Sequence, residues 1–420
     1  MKNPGNWAGN YFYRAKQIHE PERIEQIQDL VHGSNKLKAL GTRHSFNDIA
    51  DSPGDIISLS RFNKIIGLDP EQRRVSVEAG VRYGELCRWL DNKGFALHNL
   101  ASLPHISVAG ACATATHGSG DRNKNLSTAV TAIEVVTANG GLTVFSRNDE
   151  HFEGAVLSLG GLGIITKLTL EVSASFQMQQ DVYENLPFAN LENHFDEVSS
   201  SGYSVSLFTD WVNTTFNQVW VKRLAPENVS HKAEPELFGA KLARANLHPI
   251  STLSAENCTE QLGNCGPWYE RLPHFRLEFT PSSGEELQSE YILPREHAIA
   301  AFQALNEMRE FIAPLLQISE VRTIAADELW MSPCYKQDCV AIHFTWKKDW
   351  DAVRQLLPLI EDRLAQFDAR PHWGKLFMMD PERLRSRYQK LPEFRQLLEH
   401  YNPQGKFRNE FLDKYIFGMS

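Results

Sequence analysis

The chain has 420 residues, too long for one ordinary core, so two domains are expected. Apolar content of 42% and charged content of 23% are those of a soluble globular protein. The formal net charge of −9 leaves no basic excess to neutralise phosphates, which argues against nucleic acid as the main partner.

The start, Met1-Lys2-Asn3-Pro4-Gly5-Asn6, is polar and lacks the apolar stretch of a secretory signal. No window reaches the roughly 18 to 20 apolar residues that span a bilayer. A cytoplasmic protein with no membrane partner is expected. Residues Glu20–Val31 read as a helix, with Ile24, Ile27, Leu30 and Val31 at helical spacing. Arg74–Ala79 alternates as a strand, ends at Gly80, and leads to a helix over Tyr83–Gly94. Asn139-Gly140-Gly141 between Ala132–Ala138 and Leu142–Ser146 signals a hairpin. Ile164–Val172 is a further strand.

Composition shifts after about residue 175. Strands are expected at Val205–Phe208, Gln218–Lys222, Phe275–Phe279, Leu315–Thr323 and Val340–Trp346. Helices Arg295–Ile312 and Trp350–Phe367 lie among them, which suggests an α+β second domain. From Pro371 the chain returns to short helices and an irregular tail. The six cysteines fit no zinc spacing and read as reduced thiols, although a local Cys258–Cys265 bridge is compatible with the turn between them.

Three loops rich in small residues stand out: Gly41–Asn47, Ser102–Gly120 and Gly160–Gly163. Small residues let backbone N–H groups close on phosphate oxygens, and Thr and Ser hydroxyls add donors. None has the spacing of a P-loop or a GxGxxG turn, so a nicotinamide-type Rossmann site is not expected. The loops are either anchors for one large extended ligand or three tight turns. In the second domain, Glu320 and Arg322 share one strand face, as do His343 and Thr345. The opposite face of the second strand is Ile342, Phe344 and Trp346. The polar face covers either solvent or a polar cavity. Lys375 lies among bulky aromatics in Arg370-Pro371-His372-Trp373-Gly374-Lys375 and is either a surface charge or partly buried. The fifteen histidines form no HExxH or comparable pairing, so no metal site is expected.

Several runs together resemble the alditol oxidases, flavoproteins of the aldonolactone-oxidase branch of the vanillyl-alcohol oxidase superfamily. They are Asn6-Trp7-Ala8-Gly9-Asn10, Gly41–Asn47, Ser102–Gly120, Ser204–Trp211, Gly266–Phe275, Leu287–Tyr291, His343–Trp346 and Arg370–Lys375. The resemblance implies an α+β fold: a two-subdomain FAD-binding domain of the PCMH type, over residues 1–175, and an α+β cap with an antiparallel sheet over 176–370. Residues 371–420 would complete the FAD domain and the active site. It implies FAD joined covalently through His44. It lays the cofactor along Gly41, Thr42, Arg43, His44, Ser45, Phe46, Ala101, Ser102, His105, Ser107, Gly110, Thr114, Thr116, His117, Gly118, Gly161, Gly163, Ile165 and His372. It puts Ser102, Glu320, Arg322, His343, Thr345 and Lys375 around the substrate.

The implied reaction oxidises a terminal –CH2OH of a polyol such as xylitol or sorbitol to the aldehyde, by hydride transfer to the flavin N5, with O2 reduced to hydrogen peroxide. Ser102 and Lys375 would meet the C1 end, and the other four would read hydroxyls further along. His343 or Lys375 would take the alcohol proton. By the resemblance, Ala101 stands at the flavin edge where a small residue admits or blocks oxygen. The partners expected are a small polyol and O2, and the chain is expected to act as a monomer. An aldonolactone-oxidising enzyme shares the His-bearing loop and the Glu-x-Arg strand. A non-catalytic flavin-binding protein would not need the convergent ionisable set.

Overall fold

The computed structural model describes residues 4–225, 232–279 and 285–419; the first three residues of the polar start lie outside them. The N-terminal part carries two small sheets besides a two-stranded pair, Phe95–Ala96 with Ser173–Ala174. One is parallel, in the order Gln17–His19, Asp55–Ser58, Leu37–Leu40. The other is antiparallel, in the order Ile65–Asp69, Arg74–Glu78, Ile164–Glu171, Val130–Val136, Leu142–Ser146. The expected hairpin around Asn139-Gly140-Gly141 is the last pair of the second sheet, and Gly140 has φ +74° at the turn.

A ten-stranded sheet forms the second part. Its middle runs Gln177–Pro187, Thr215–Leu224, Ser204–Thr209, Leu316–Ile324, Cys339–Lys347, Glu286–Pro294, every neighbour antiparallel. One sheet face packs on helices Phe188–Ser199, Ala298–Asn306 and Trp350–Leu364 through Val219, Val221, Val321, Ile342, Phe344 and Trp346. Those helices bring Phe195, Phe302 and Ile360 to the same cluster. The N-terminal sheets have a separate core, which the C-terminal segment joins through Trp373, Phe394, Leu398, Phe411 and Ile416.

Four expectations are corrected. Phe275–Phe279 is not a strand; its only ladder contact is an isolated bridge from Phe275 to Cys258. Its backbone is spent on loops: the N–H groups of His274 and Phe275 go to the Ser102 carbonyl and that of Arg276 to Asn257. Arg295–Ile312 is not one helix but a 3-10 turn, then Ala298–Asn306, then Arg309–Ile312. The first helix starts at Ile24, because Pro21 disfavours helical backbone at Glu20. Strands Gln177–Pro187 and Glu286–Pro294 were not expected, because both are too polar to show a strand pattern.

Candidate active site

One cavity of about 680 Å³ runs between the two parts. The three small-residue loops line one half and the polar face of the large sheet lines the other. The register explains the second half. Phe208, Glu320, His343 and Glu290 are paired in one row across four strands. The next row along is Ile318, Thr345 and Gln288. All of these side chains line the cavity. Alternation puts the core residues on the far side, so the polar face covers a cavity rather than solvent.

The ionisable groups are wired together. Arg322 Nη2 donates to Glu290 Oε1 at 2.9 Å, and its Nε lies 3.4 Å from Glu320 Oε1. His117 Nε2 is 3.3 Å from Glu290 Oε1 and His343 Nδ1 is 3.7 Å from Glu290 Oε2. His343 Nε2 lies 3.2 Å from Thr345 Oγ1. Arg322 Nη1 reaches the Ser102 hydroxyl at 3.4 Å. Lys375 donates to Gln288 Oε1, and Gln288 donates in turn to Glu286. The Lys375 ammonium also stands 5.1 Å from the centre of the Phe46 ring.

Burial alone would raise the carboxyl of Glu290, but His117 and Arg322 outweigh it and hold it well below the usual carboxylate range. For Glu320, burial is likewise overcome by Arg322 and His274. Burial lowers His343 below the ordinary imidazole range, and Glu290 offsets this only in part. Burial brings Lys375 down to about 8, with Glu290 opposing. The inner face therefore holds the Glu290 and Glu320 carboxylates, the Arg322 guanidinium and the Lys375 ammonium around a neutral His343, with the Glu286 carboxyl, raised by burial, behind Gln288.

In the other half, Gly41-Thr42-Arg43-His44-Ser45 leaves the strand Leu37–Leu40 through a left-handed Arg43 at φ +63°. The backbone N–H groups of Thr42, Arg43, His44 and Ser45 donate to no group among the described residues. A Cβ at Gly41 would stand 2.5 Å from Ser107 Oγ, and one at Gly110 2.8 Å from it. Free donors beside backbone that must stay bare are what a diphosphate requires, so the residues fit FAD. His44 Nδ1 lies 3.0 Å from Thr42 Oγ1, and the ring stacks on Trp7 at 5.6 Å. Burial, with His105 and Lys375, lowers His44 to about 4, so its imidazole is neutral.

Of the residues expected at the site, all but three line the cavity. His105 turns away and bonds the Leu277 carbonyl at 2.9 Å. Gly118 is pressed against Asn99 and Leu100, and Gly161 against Leu398 and Leu412. The Arg43 guanidinium donates to the Gly5 carbonyl at 3.3 Å. Lys375 is partly buried and faces the cavity, not the bulk surface. Asn47 fastens it there by donating to the carbonyls of Trp373 and Lys375 at 2.9 and 2.8 Å. Glu290, Gln288, His274 and Trp7 also line the cavity and were missed as site residues. No signal in strand periodicity marks His274 or Trp7; alternation within Leu287–Tyr291 marks Gln288 and Glu290 once that run is known to be a strand. All six cysteines are free, including Cys258 and Cys265, and no group of metal-ligating side chains occurs among the described residues.

Comparison with known proteins agrees with this geometry. Residues 15–146 match the family model of the FAD binding domain, and residues 283–415 that of D-arabinono-1,4-lactone oxidase. Alditol oxidase from a Streptomyces species is 47% identical over 98% of this chain and 99% of its own length. L-gulonolactone oxidase of Mus musculus is 25% identical over 98% of both chains. The crystal structure of cholesterol oxidase from B. sterolicum superposes with a TM-score of 0.79 at 15% identity, over 98% of this chain and 96% of that one, which shows the PCMH-type FAD-binding fold. With its flavin loops, its cap sheet and near full-length identity of this degree, the chain belongs to the alditol oxidases, FAD-dependent oxidoreductases acting on CH–OH in the aldonolactone-oxidase branch of the vanillyl-alcohol oxidase superfamily.

Proposed function

We propose that this chain oxidises the terminal primary hydroxyl of an alditol such as xylitol or sorbitol to the aldose, with O2 reduced to hydrogen peroxide. The observation that carries the reading is the inner cavity face, rich in donors and acceptors, with Glu290 met by Arg322 and His117 and Glu320 by His274. An alditol is uncharged and made of hydroxyls, and each buried polar group left unpaired costs free energy. Residues 1–175 and 371–420 act as the FAD-binding unit and 176–370 as the cap. The chain acts as a monomer. Six free cysteines suit a reducing cytoplasm, and no helix among the described residues is long and apolar enough to cross a membrane.

When bound, FAD supplies the two-electron acceptor; binding, orientation and proton handling belong to the protein. His44 is the covalent anchor: its neutral ring, stacked on Trp7, is a nucleophile held at the cavity wall. Ser102 and Lys375 hold the C1 hydroxyl, and Glu320, Arg322, His343 and Thr345 read the rest of the chain. Glu290 beside Nδ1 favours the His343 proton there, which leaves Nε2 as the acceptor of the alcohol proton. The Lys375 ammonium offsets the negative charge that develops beside it. Ala101 lines the cavity where oxygen enters.

Steady-state peroxide release with xylitol, sorbitol and an aldonolactone tests the reading. Turnover favouring the alditols supports it. Turnover with the lactone alone contradicts it.

A further inference from the structure

Lys222 is a fully buried cation that the chemistry above does not use. It lies on strand Thr215–Leu224, with neighbours Val219 and Val221 facing the helices. Its ammonium has three N–H donors, and three acceptors meet them. They are the Leu272 carbonyl at 2.6 Å, the Pro273 carbonyl at 3.0 Å and His274 Nδ1 at 3.1 Å. Burial lowers Lys222 to about 7, and the charge of Glu320 opposes this.

An imidazole that accepts at Nδ1 carries its proton on Nε2 when neutral, and burial with Lys222 keeps His274 neutral. Nε2 lies 2.7 Å from Glu320 Oε1. Phe208 and Trp220 stand edge-on to the His274 ring at 5.6 and 5.2 Å and fix its plane. The His274 backbone N–H donates to the Ser102 carbonyl at 3.1 Å, so one residue ties the flavin-side loop to the cap sheet. His274 thereby donates to Glu320 Oε1, and Arg322 Nε stands 3.4 Å from the same oxygen. No group among the described residues donates to Oε2, and Glu320 lines the cavity.

We propose that Lys222 and His274 are positioning residues that fix Glu320 as a hydrogen-bond acceptor toward the cavity, so that the site selects a substrate presenting a hydroxyl donor there. This rests on the alditol reading above. A carbonyl or a bare methylene at that position leaves the carboxylate unpaired.

The test compares xylitol with 1-pentanol, which keeps C1 but lacks every later hydroxyl, on the flavin-loaded enzyme. His274→Asn puts an amide near the Nδ1 position and abandons Glu320. His274→Gln reaches the Nε2 position and restores a donor. Lys222→Met keeps the stem and removes the ammonium. His274→Asn and Lys222→Met should each lower kcat/KM for xylitol about tenfold or more relative to 1-pentanol, mainly through KM. His274→Gln should recover most of the loss. In a Glu320→Gln background, His274→Asn should add nothing. If one variant fails to fold, the other carries the same comparison. Equal losses on both substrates, or additive losses in the Glu320→Gln background, overturn the assignment. Wild-type enzyme inert to xylitol overturns the alditol reading instead.

Discussion

The pH dependence of Lys375 separates two chemistries that the same cavity allows. Burial places its pKa at about 8. At pH 7 about nine-tenths of the side chain is then ammonium, and at pH 9 about one-tenth. If the ammonium stabilises developing negative charge, the reductive step slows as pH rises through 8. If the free amine is the base, the step accelerates through the same range. The Lys375–Gln288 hydrogen bond is charge-assisted. An equivalent charge-assisted hydrogen bond from the ammonium to the oxygen that gains charge in the transition state is worth about 1.5–3 kcal/mol, so its loss costs roughly 10- to 150-fold in rate. Lys375→Met should therefore lower the rate of flavin bleaching by xylitol within that span and abolish the alkaline decline. Anaerobic stopped-flow absorbance from pH 6 to 10 measures both. A wild-type rate that climbs through pH 8, or a decline that survives in Lys375→Met, refutes the assignment of His343 as base and Lys375 as counter-charge.

Glu290→Gln keeps the shape but removes the charge facing Arg322, His117 and His343, and should cost about 1.5–3 kcal/mol of unfolding free energy at neutral pH. The Glu290 carboxyl is held below its unfolded value, so its contribution is full above the unfolded pKa near about 4.3 and is lost as pH falls through the folded one. Urea unfolding at pH 7 and at successively lower pH should show the gap to wild type narrowing with acidity; a widening gap contradicts this. Gly41→Ala should reduce FAD occupancy, read as the ratio of flavin to protein absorbance, and Gly41→Ala with Ser107→Ala should recover it, because Ser107 Oγ is what the new methyl meets. Undiminished flavin in Gly41→Ala argues against a close-approach loop. Acid precipitation should leave wild-type protein yellow and His44→Ala colourless; a colourless wild-type pellet rules out the covalent anchor.

The polar cavity face was legible in sequence where strand alternation alone sets direction. Glu320 with Arg322, and His343 with Thr345, had to share sides once each run was a strand. Alternation does not tell which strands become neighbours. The row Phe208, Glu320, His343, Glu290 exists only because Leu316–Ile324 pairs with both Ser204–Thr209 and Cys339–Lys347, and the latter with Glu286–Pro294. Glu290 and Gln288 escaped notice because that last strand opens with Glu286-Leu287-Gln288-Ser289-Glu290, which reads as solvated loop. Lys222 hid beside Arg223 near the end of its strand, where neighbouring cations read as solvated and give no sign of the three acceptors that Lys222 meets. His274 sits on irregular backbone, and Phe275–Phe279 looked like a strand because Phe275, Leu277 and Phe279 alternate with Arg276 and Glu278, although only Phe275 makes a ladder contact. The small-residue loops were legible as loops, but His105, Gly118 and Gly161 show that membership of a motif does not place a residue on the cavity wall.

The central claim is that an alditol delivers electrons to a flavin in this cavity and O2 removes them. Anaerobic titration of the purified yellow protein with xylitol, followed by admission of air, tests it most directly. Bleaching by xylitol and prompt return of the colour in air is the predicted result. A flavin that stays oxidised through excess xylitol, or one that bleaches and does not recover in air, contradicts the account.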